Sequence, residues 1–527
     1  MTNSMDEISQ ARTILATGTN TTVAHPVLAL QVQEAVRKGA KLIVVNPKEI
    51  DLVKHAHLFV QPWPGTDVAL LMGMMRVIVD EGLDDTEFVA DRCENFEAFK
   101  ESLSAFDLAF VEQVTGVPRS KIEAAARLYA TTKPASILYT MGITQHSHGT
   151  DNVMAVANLA MLTGNVGKPA SGVNPLRGQN NVQGACDMGG LPNVYPGYQR
   201  VDIPELKAKF EDAWGCELSG EVGLTHTEIV DAVYQGQIKA LYMVGENPVL
   251  SEADANHVHA AFAKLDFLVC QDLFLTESAR YADVVLPAAS FAEKDGTFTN
   301  TERRVQRVRQ AIQPVGEAKP DWWIVGQIAQ RMGARGFDYR GPSEIMDEIA
   351  ALTPIYGGIS YPRLDGDGLQ WPCPTPDHPG TGFLHAGRFS RGKGRFMPLV
   401  YKPSAELPDD KYPLLLTTDR SLFHYHTSTM TRRVKGLEVL DSRELLKMNP
   451  QDADCLNVTD GDKVKVSSRR GETEVEVQVT DICPPGVVSM TFHFWEVPTN
   501  VLTNRALDPV AKIPETKVAA VRVEKVS

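Results

Sequence analysis

The sequence predicts an α/β protein: two doubly wound parallel-sheet domains followed by a β-rich domain that closes as a small barrel. Three observations predict it. Short apolar runs alternate with helical patterns through the first third of the chain. A strand–glycine–helix–strand plan at 13–47 is repeated at 240–272. From about residue 412 the pattern changes to period-two alternation, which is the signature of strands with one buried face.

In chain order, "TILATGTN" (13–20) is an apolar strand ending in a Gly-Thr-Asn turn, followed by a helix pattern over 26–38. "KLIVVNPK" (41–48) is a second buried strand with a polar exit. "GTDVALLMGMMRVIVDEG" (65–82) is helical, with Thr66 or Asp67 as its N-cap. "PASILYTMG" (134–142) is a strand, and "DNVMAVANLAMLTGN" (151–165) is an apolar helix stopped by Gly164. The second copy, "ALYMVGENPVLSEADANHVHAAFAKLDFLVCQD" (240–272), has the same order of elements. Gly18 and Gly245 occupy equivalent turns; Asn46 leaves the second strand of one copy, and Gln271 and Asp272 that of the other. Such a glycine lets backbone approach a phosphate at a helix N-terminus, and a polar strand exit meets a nucleoside. Two copies imply two similar ligands. "ADVVL" (282–286) is a short strand, 287–307 reads as a loop, and a helix follows near 322–332. The Gly- and Pro-rich stretch from about 353 to 408 reads as a long wrapping segment or linker. "YPLLLTTDR", a hairpin over 461–479 turning at Gly471, and "GVVSMTF" (486–492) build the last domain. The expected boundaries are 1–179, 180–400 and 401–527.

Composition narrows the function. The 527 residues suffice for about three or four domains of about 150 residues each. A net charge of −14 argues against a general nucleic-acid binder, which needs a basic face. No apolar run approaches the roughly 20 residues that span a bilayer. The seven cysteines are scattered without a CxxC pair, so no zinc or iron–sulfur site is expected on the chain, and a reducing, cytoplasmic setting suits them. The alternating pairs "HAH" (55–57), "HSH" (146–148), "HVH" (257–259) and "HYH" (424–426) lack carboxylate or cysteine partners at ligand spacing. They read as loop or surface histidines, and no metal ligand is assigned.

One stretch resists a structural reading. "NPLRGQNNVQGACDMGGLPN" (174–193) carries one arginine, a cluster of amides and four glycines, and no helical or strand period runs through it. Together with its flanks, "MGITQHSHGTDNVMAVANLAMLTGNVGKPASGVNPLRGQNNVQGACDMGGLPNVYPGYQ" (141–199), it closely resembles the catalytic subunit of the molybdenum- or tungsten-dependent formate dehydrogenases. The resemblance runs along the whole chain, through "GTNTTVAHPV", "NPK", "PGTDVALL", "GENPVLSEAD", "CQDLFLTESARYADVVLPAASFAEKDGTFTNTERRVQ", "TTDRSLFHYHTSTMTRR" and "LTNRALDPVAKIPETKVAAVRVE".

The resemblance implies a fold of two Rossmann-like domains and a six-stranded barrel of the double-psi type. It implies bis-molybdopterin guanine dinucleotide with molybdenum or tungsten as the cofactor. By the same likeness, Gly18, Asn20, Asn46, Gly65, Asp67 and Gly142 would hold one dinucleotide. Gly245, Asn247, Gln271, Asp272, Thr297 and Asn300 would hold parts of the other. Arg420, His424, Asn500 and Lys517 match barrel positions that contact pterins or phosphates. Arg177 matches the substrate arginine, a permanently charged clamp for a small carboxylate. Gln179, Asn180, Asn181 and Gln183 would offer donors and acceptors to a polar cofactor edge, and Cys186 is not the metal ligand. The implied reaction is formate oxidation to CO2 or its reverse. The implied partners are an N-terminal [4Fe-4S] segment or subunit and an electron-transfer subunit of iron–sulfur, flavin or hydrogenase type, with no membrane span in this chain.

The family's cysteine or selenocysteine metal ligand and its four-cysteine motif lie upstream of the segment that "MTNSMDEISQ" resembles. The chain is therefore expected to match the C-terminal three-quarters of the family's subunit. The expected origin is a selenocysteine codon read as stop with a restart at Met1; a separate N-terminal subunit is the alternative, and an export signal would lie upstream. Apolar surface is expected to be bare in the middle domain. Two other functional readings stay open: another oxidoreductase of the same group, such as a nitrate reductase, and a non-catalytic cofactor-binding fragment.

Overall fold

Apolar β-branched runs of five residues make strands that can be buried on both faces. The computed structural model, which describes residues 1–526, places three such strands and two shorter ones in one parallel sheet. They are β1 (Thr13–Thr17), β2 (Lys41–Val45), β3 (Leu58–Val60), β4 (Ala135–Tyr139) and β5 (Gly172–Pro175), in the order β3-β2-β1-β4-β5. Thr13 sits opposite both Lys41 and Ala135, which sets the register of the three central strands. Alternation then divides the core. Leu15, Ile43 and Ile137 pack with the helix Asp67–Asp80, while Ile14, Leu42 and Leu138 pack with the helix Pro26–Arg37. Each face buries a full apolar layer, the condition for a doubly wound sheet.

The helix Asp67–Asp80 starts after Thr66, as the sequence predicts, but without the expected side-chain cap: the Thr66 hydroxyl donates to the Trp63 carbonyl at 2.7 Å. The helix Gly149–Leu162 ends before Gly164, whose φ of +65° carries the chain out of the helix.

The second copy gives β6 (Ala240–Val244), β7 (Phe267–Asp272) and β8 (Val284–Pro287), a parallel sheet of only three strands in the order β8-β7-β6. Tyr242, Val244, Phe267, Val284 and Val285 on these strands are exposed, so apolar surface is bare here. The segment read as a loop over 287–307 instead folds into a hairpin of β9 (Gly296–Thr299) and β10 (Arg304–Val308). Its turn is drawn closed by Asn300, whose Oδ1 accepts from the backbone of Glu302 and Arg304 at 3.1 and 3.0 Å. An asparagine closing a turn on its own backbone is a local signal that the loop reading missed.

The last strands are β11 (Leu414–Thr418), β12 (Leu445–Met448), β13 (Lys463–Ser467), β14 (Glu472–Val479), β15 (Val487–Met490) and β16 (Ala519–Lys525). They close a six-stranded barrel in the order β11-β15-β12-β14-β13-β16, filled by Leu416, Leu446, Val464, Val466, Val477 and Val488. The fold class is therefore the one the sequence predicts.

Packing divides the chain into two units. The first comprises residues 1–176, 248–259 and 383–527; the second comprises 177–247 and 260–382. The first sheet and the barrel belong to the first unit, and the three-stranded sheet with its hairpin to the second. The division expected at 179 and 400 follows the sheets, whereas these units follow packing. The wrapping segment belongs to the first unit at its C-terminal end, where Gly394–Arg395 pairs with Cys93–Glu94 and Phe396 stacks on Phe99 at 4.8 Å.

Candidate cofactor and substrate site

In the first unit the strand ends carry the expected glycines. Gly18 has φ +56°, and a Cβ on Gly142 would stand 2.5 Å from the Gly18 carbonyl oxygen. The two turns therefore touch backbone to backbone, held by bonds to that oxygen from Gly142 N at 3.1 Å and Thr140 Oγ1 at 2.8 Å. Gly65, φ +80°, faces Ser404, whose Oγ occupies the place of the missing Cβ. Asn46 accepts from Lys48 N at 3.0 Å, which holds the strand exit in a turn. Burial pushes the Asp67 carboxyl up, against a lowering by the neighbouring His146.

Around these turns lie buried polar atoms with no hydrogen-bond partner among the described residues: the hydroxyls of Thr17, Thr19, Thr21 and Ser404, and both ring nitrogens of His148. A folded domain leaves few such groups, and a ring of them at strand ends is the donor and acceptor set of a polar ligand. The "HSH" and "HYH" pairs correct the surface reading. His146 and His148 are buried and stacked, 5.5 Å between ring centres, and His424 is buried as well. Burial, together with His146, holds the His148 pKa down to about 4, so its ring is neutral and offers one donor and one acceptor.

A cavity of ≈ 760 Å³ opens beside Asn20, Lys48, Asp419, Arg420, Glu444 and Lys447. At its buried corner Lys48 pairs with Asp419 and donates to Ser489 Oγ at 3.0 Å. Burial would raise the Asp419 carboxyl, but Lys48 and Lys447 outweigh it and hold the group well below the usual carboxylate range. Burial lowers Arg420, and its guanidinium lies 5.2 Å from the Phe492 ring centre. Lys517 donates to Thr418 O and Oγ1 at 2.9 and 3.1 Å, and burial brings its pKa down to about 8. Lys48, Lys447 and Arg420 stand at this corner with Asp419 and Glu444, Lys517 lies close behind, and Glu49, Asp51, Asp441 and Asp481 line other walls. A cluster of cations at the corner, Lys48 among them buried, fits a phosphate-bearing ligand. Lys48, Asp419 and Ser489 escaped the sequence reading as site residues, although they lie in the quoted stretches "NPK", "TTDRSLFHYHTSTMTRR" and "GVVSMTF".

Two expected barrel contacts are engaged within the chain. His424 uses Nδ1 with Thr431 Oγ1 at 3.1 Å and Nε2 with the Asp441 carbonyl. Asn500 donates to the carbonyls of Leu250 and Ser251 at 2.9 and 3.1 Å, and its Oδ1 accepts from Thr503.

In the second unit, the stretch expected to lack regular structure contains a short helix, Val182–Asp187. Arg177, half-buried, is fixed at both ends: its backbone N donates to Thr301 Oγ1 at 3.0 Å and its Nε to Gln183 Oε1 at 3.3 Å. Gln179, also half-buried, lies on the same turn. Burial raises the Cys186 thiol, so it is no ready thiolate. Gly245 has φ +65° with open space where a Cβ would be. Asn247 binds Ser278 N and Oγ through Oδ1 and Glu277 through Nδ2. Gln271 is fully buried, taking the Tyr242 hydroxyl and donating to Asp321 at 2.7 Å; Asp272 Oδ1 accepts from Leu273 N. Thr297 lines a cavity of ≈ 240 Å³. Among the described residues no three His, Cys, Asp or Glu side chains are grouped to hold a metal ion, and no helix is long and apolar enough to cross a membrane.

Residues 1–331 match the Molybdopterin oxidoreductase family, and residues 414–520 match the Molydopterin dinucleotide binding domain. The chain thus belongs to the molybdopterin oxidoreductases. Within them it stands among the formate dehydrogenase alpha subunits. It is 49% identical to the F420-dependent formate dehydrogenase subunit alpha of Methanocaldococcus jannaschii, over 100% of this chain and 78% of that protein. It is 39% identical to formate dehydrogenase H of Escherichia coli, over 100% of this chain and 74% of that protein. Acetylene hydratase from Pelobacter acetylenicus shares the fold, with a TM-score of 0.76 at 20% identity, covering 99% of this chain and 81% of that one.

Proposed function

We propose that the chain is part of the catalytic subunit of a formate dehydrogenase that interconverts formate with CO2, a proton and two electrons at a bis-molybdopterin guanine dinucleotide centre of molybdenum or tungsten. The observation that carries this reading is Arg177, a guanidinium fixed through its backbone and its Nε in an amide-rich turn. Such a group grips a carboxylate of formate's size and keeps its charge at every working pH. The names of the relatives support formate as the substrate.

When bound, the cofactor supplies a two-electron redox centre. The chain's own residues hold and surround it. Thr17, Thr19, Thr21 and neutral His148 would bind one dinucleotide over the turns of Gly18, Gly65 and Gly142, beside Asn20, Asn46 and Asp67. Lys48, Arg420 and Lys517 would neutralise phosphates; His424 would fix the 421–441 loop, and Asn500 the 248–251 segment, behind them. Gly245, Thr297 and Asn300 would receive parts of the second dinucleotide, with Asn247, Gln271 and Asp272 shaping its walls. Gln179 would face a cofactor edge. An N-terminal segment or subunit would supply the metal ligand and a [4Fe-4S] cluster, and a separate electron-transfer subunit would take the electrons, in the cytoplasm.

Arg177→Ala in the assembled enzyme is expected to raise the formate KM about 10- to 100-fold, the loss of about 1.5–3 kcal/mol in a charge-assisted bond. Unchanged steady-state kinetics would remove Arg177 from substrate binding. Nitrate-dependent turnover without formate turnover would favour the nitrate reductase alternative. A purified, reassembled enzyme free of molybdenum and tungsten by elemental analysis would favour the non-catalytic reading.

A further inference from the structure

Behind Arg177 lies a carboxylate that the reaction does not call for. Asp187 is fully buried, and its two oxygens accept from four side chains. Oδ1 receives Gln183 Nε2 at 2.8 Å and the Tyr198 hydroxyl at 2.7 Å. Oδ2 receives the Tyr356 hydroxyl at 2.6 Å and Trp371 Nε1 at 2.7 Å. Tyr356 in turn bonds Thr299 at 3.0 Å, so the group is tied into the hairpin. Burying a charge is costly unless every lone pair is used. Here four neutral donors do this, and no cation among the described residues forms a bond to Asp187.

The consequence falls on Gln183. An ionised carboxylate only accepts hydrogen bonds. Facing one, the Gln183 amide must present its NH2 to Asp187, and its carbonyl oxygen is then turned to the opposite side. There it accepts from Arg177 Nε at 3.3 Å. The burial of Asp187 thus sets the orientation of an amide, and the amide sets the plane of the guanidinium.

We propose that Asp187 is a positioning residue for formate: acting through Gln183, it holds the Arg177 guanidinium in the plane that receives the substrate carboxylate. This rests on the reading of Arg177 as the formate clamp. A guanidinium free to turn would still attract an anion but would lose the alignment of a bidentate contact.

The test uses the assembled holoenzyme. Formate KM and kcat are measured alongside formate affinity by equilibrium dialysis with labelled formate, so that binding is read without turnover. In Asp187→Asn the side-chain oxygen stays with Tyr356 and Trp371, and its NH2 now faces Gln183. The Gln183 amide must flip, setting NH2 against Arg177 Nε. The expected result is a rise of about tenfold in KM and in the dialysis constant, with kcat changed less than about threefold. Gln183→Glu alone sets two carboxylates together and is expected to weaken formate binding similarly. The double variant Asp187→Asn/Gln183→Glu restores the pattern, because the introduced carboxylate accepts both from the introduced amide and from Arg177. Its KM is expected within about threefold of the parent. Rescue of this kind is foreign to a residue that only stabilises the fold. A double variant as weak as Asp187→Asn would overturn the proposal, as would Asp187→Asn with parental KM while Arg177→Ala raises it. Parental KM in Arg177→Ala would instead sink the substrate reading itself. Should Asp187→Asn not fold, Tyr198→Phe decides: it removes one donor to Oδ1 and is expected to raise KM two- to threefold, roughly the loss of one neutral bond's alignment, and no change would count against the network.

Discussion

Lys517 shows how one residue can oppose folding and serve binding. Among the described residues its ammonium bonds only Thr418 oxygens, and burial brings its pKa down to about 8, with Asp419 raising it and Arg420 and Lys48 lowering it further. The unfolded chain keeps lysine near about 10.4. Between those values the unfolded state binds more protons than the folded one, so this group makes stability rise with pH from about 8 to about 10. Lys517→Met is expected to flatten that rise in thermal melts of cofactor-free protein and to raise the midpoint at neutral pH by a few degrees, because a buried cation without a carboxylate partner is removed. The same variant is expected to retain less cofactor on purification, measured as molybdenum or tungsten per chain. Asp419 behaves in the opposite way: its depressed pKa contributes stability that is present above about pH 4, the unfolded value, and is lost as pH falls toward its folded value.

At the scale of elements, the helix Gly149–Leu162 begins without a capping side chain of its own. Its N-terminus is capped from the barrel strand's approach instead: Asp508 accepts from Thr150 N at 2.8 Å and Thr150 Oγ1 at 2.7 Å, and Glu515 accepts from Ser147 N at 3.2 Å. Carboxylates at a helix N-terminus satisfy exposed N–H groups and meet the positive end of the dipole. Asp508→Ala is expected to cost about 1–2 kcal/mol, the range of a lost N-cap, read as a lower urea midpoint. The Gly18 and Gly142 turns set a harder limit. A methyl on Gly142 meets backbone 2.5 Å away, and backbone cannot swing aside as a long side chain can. Gly142→Ala is expected to reduce the soluble yield sharply.

Over the whole molecule, the chain leaves the first unit at Leu176, returns for residues 248–259, and returns again at Phe383. The middle visit is brief and needs anchors. Asn500 supplies them by donating to the carbonyls of Leu250 and Ser251, and Asn256 adds a bond to the Arg470 carbonyl at 3.2 Å. Asn500→Leu fills the volume but deletes both donors, leaving two buried acceptors without partners. Faster amide hydrogen exchange over 248–259, with the barrel strands unchanged, is the expected signature. Equal protection in both proteins would show that Ala255, packed in the barrel core, is sufficient by itself.

Much was legible in the residues alone. Five-residue apolar runs marked the three central strands of the first sheet, because a strand buried on both faces needs no alternation; the shorter outer strands Leu58–Val60 and Gly172–Pro175 carry no such run. Period-two alternation made the barrel hairpin, because one face of each strand is filled. The order of motifs along the chain carried the resemblance to the formate dehydrogenases, among which the relatives stand. The tertiary structure alone decided which polar groups face one another. Sequence spacing fixes neighbours over a few residues, whereas Lys48 meets Asp419 across a separation of 371 positions and Asp187 meets Trp371 across 184. The same limit explains Asn500, whose Nδ2 is taken by the distant carbonyls of Leu250 and Ser251, and the burial of the "HSH" pair. Local pattern dictates which element forms; the energy of a buried charge depends on every group the fold brings to it, and that is set only when the chain has closed.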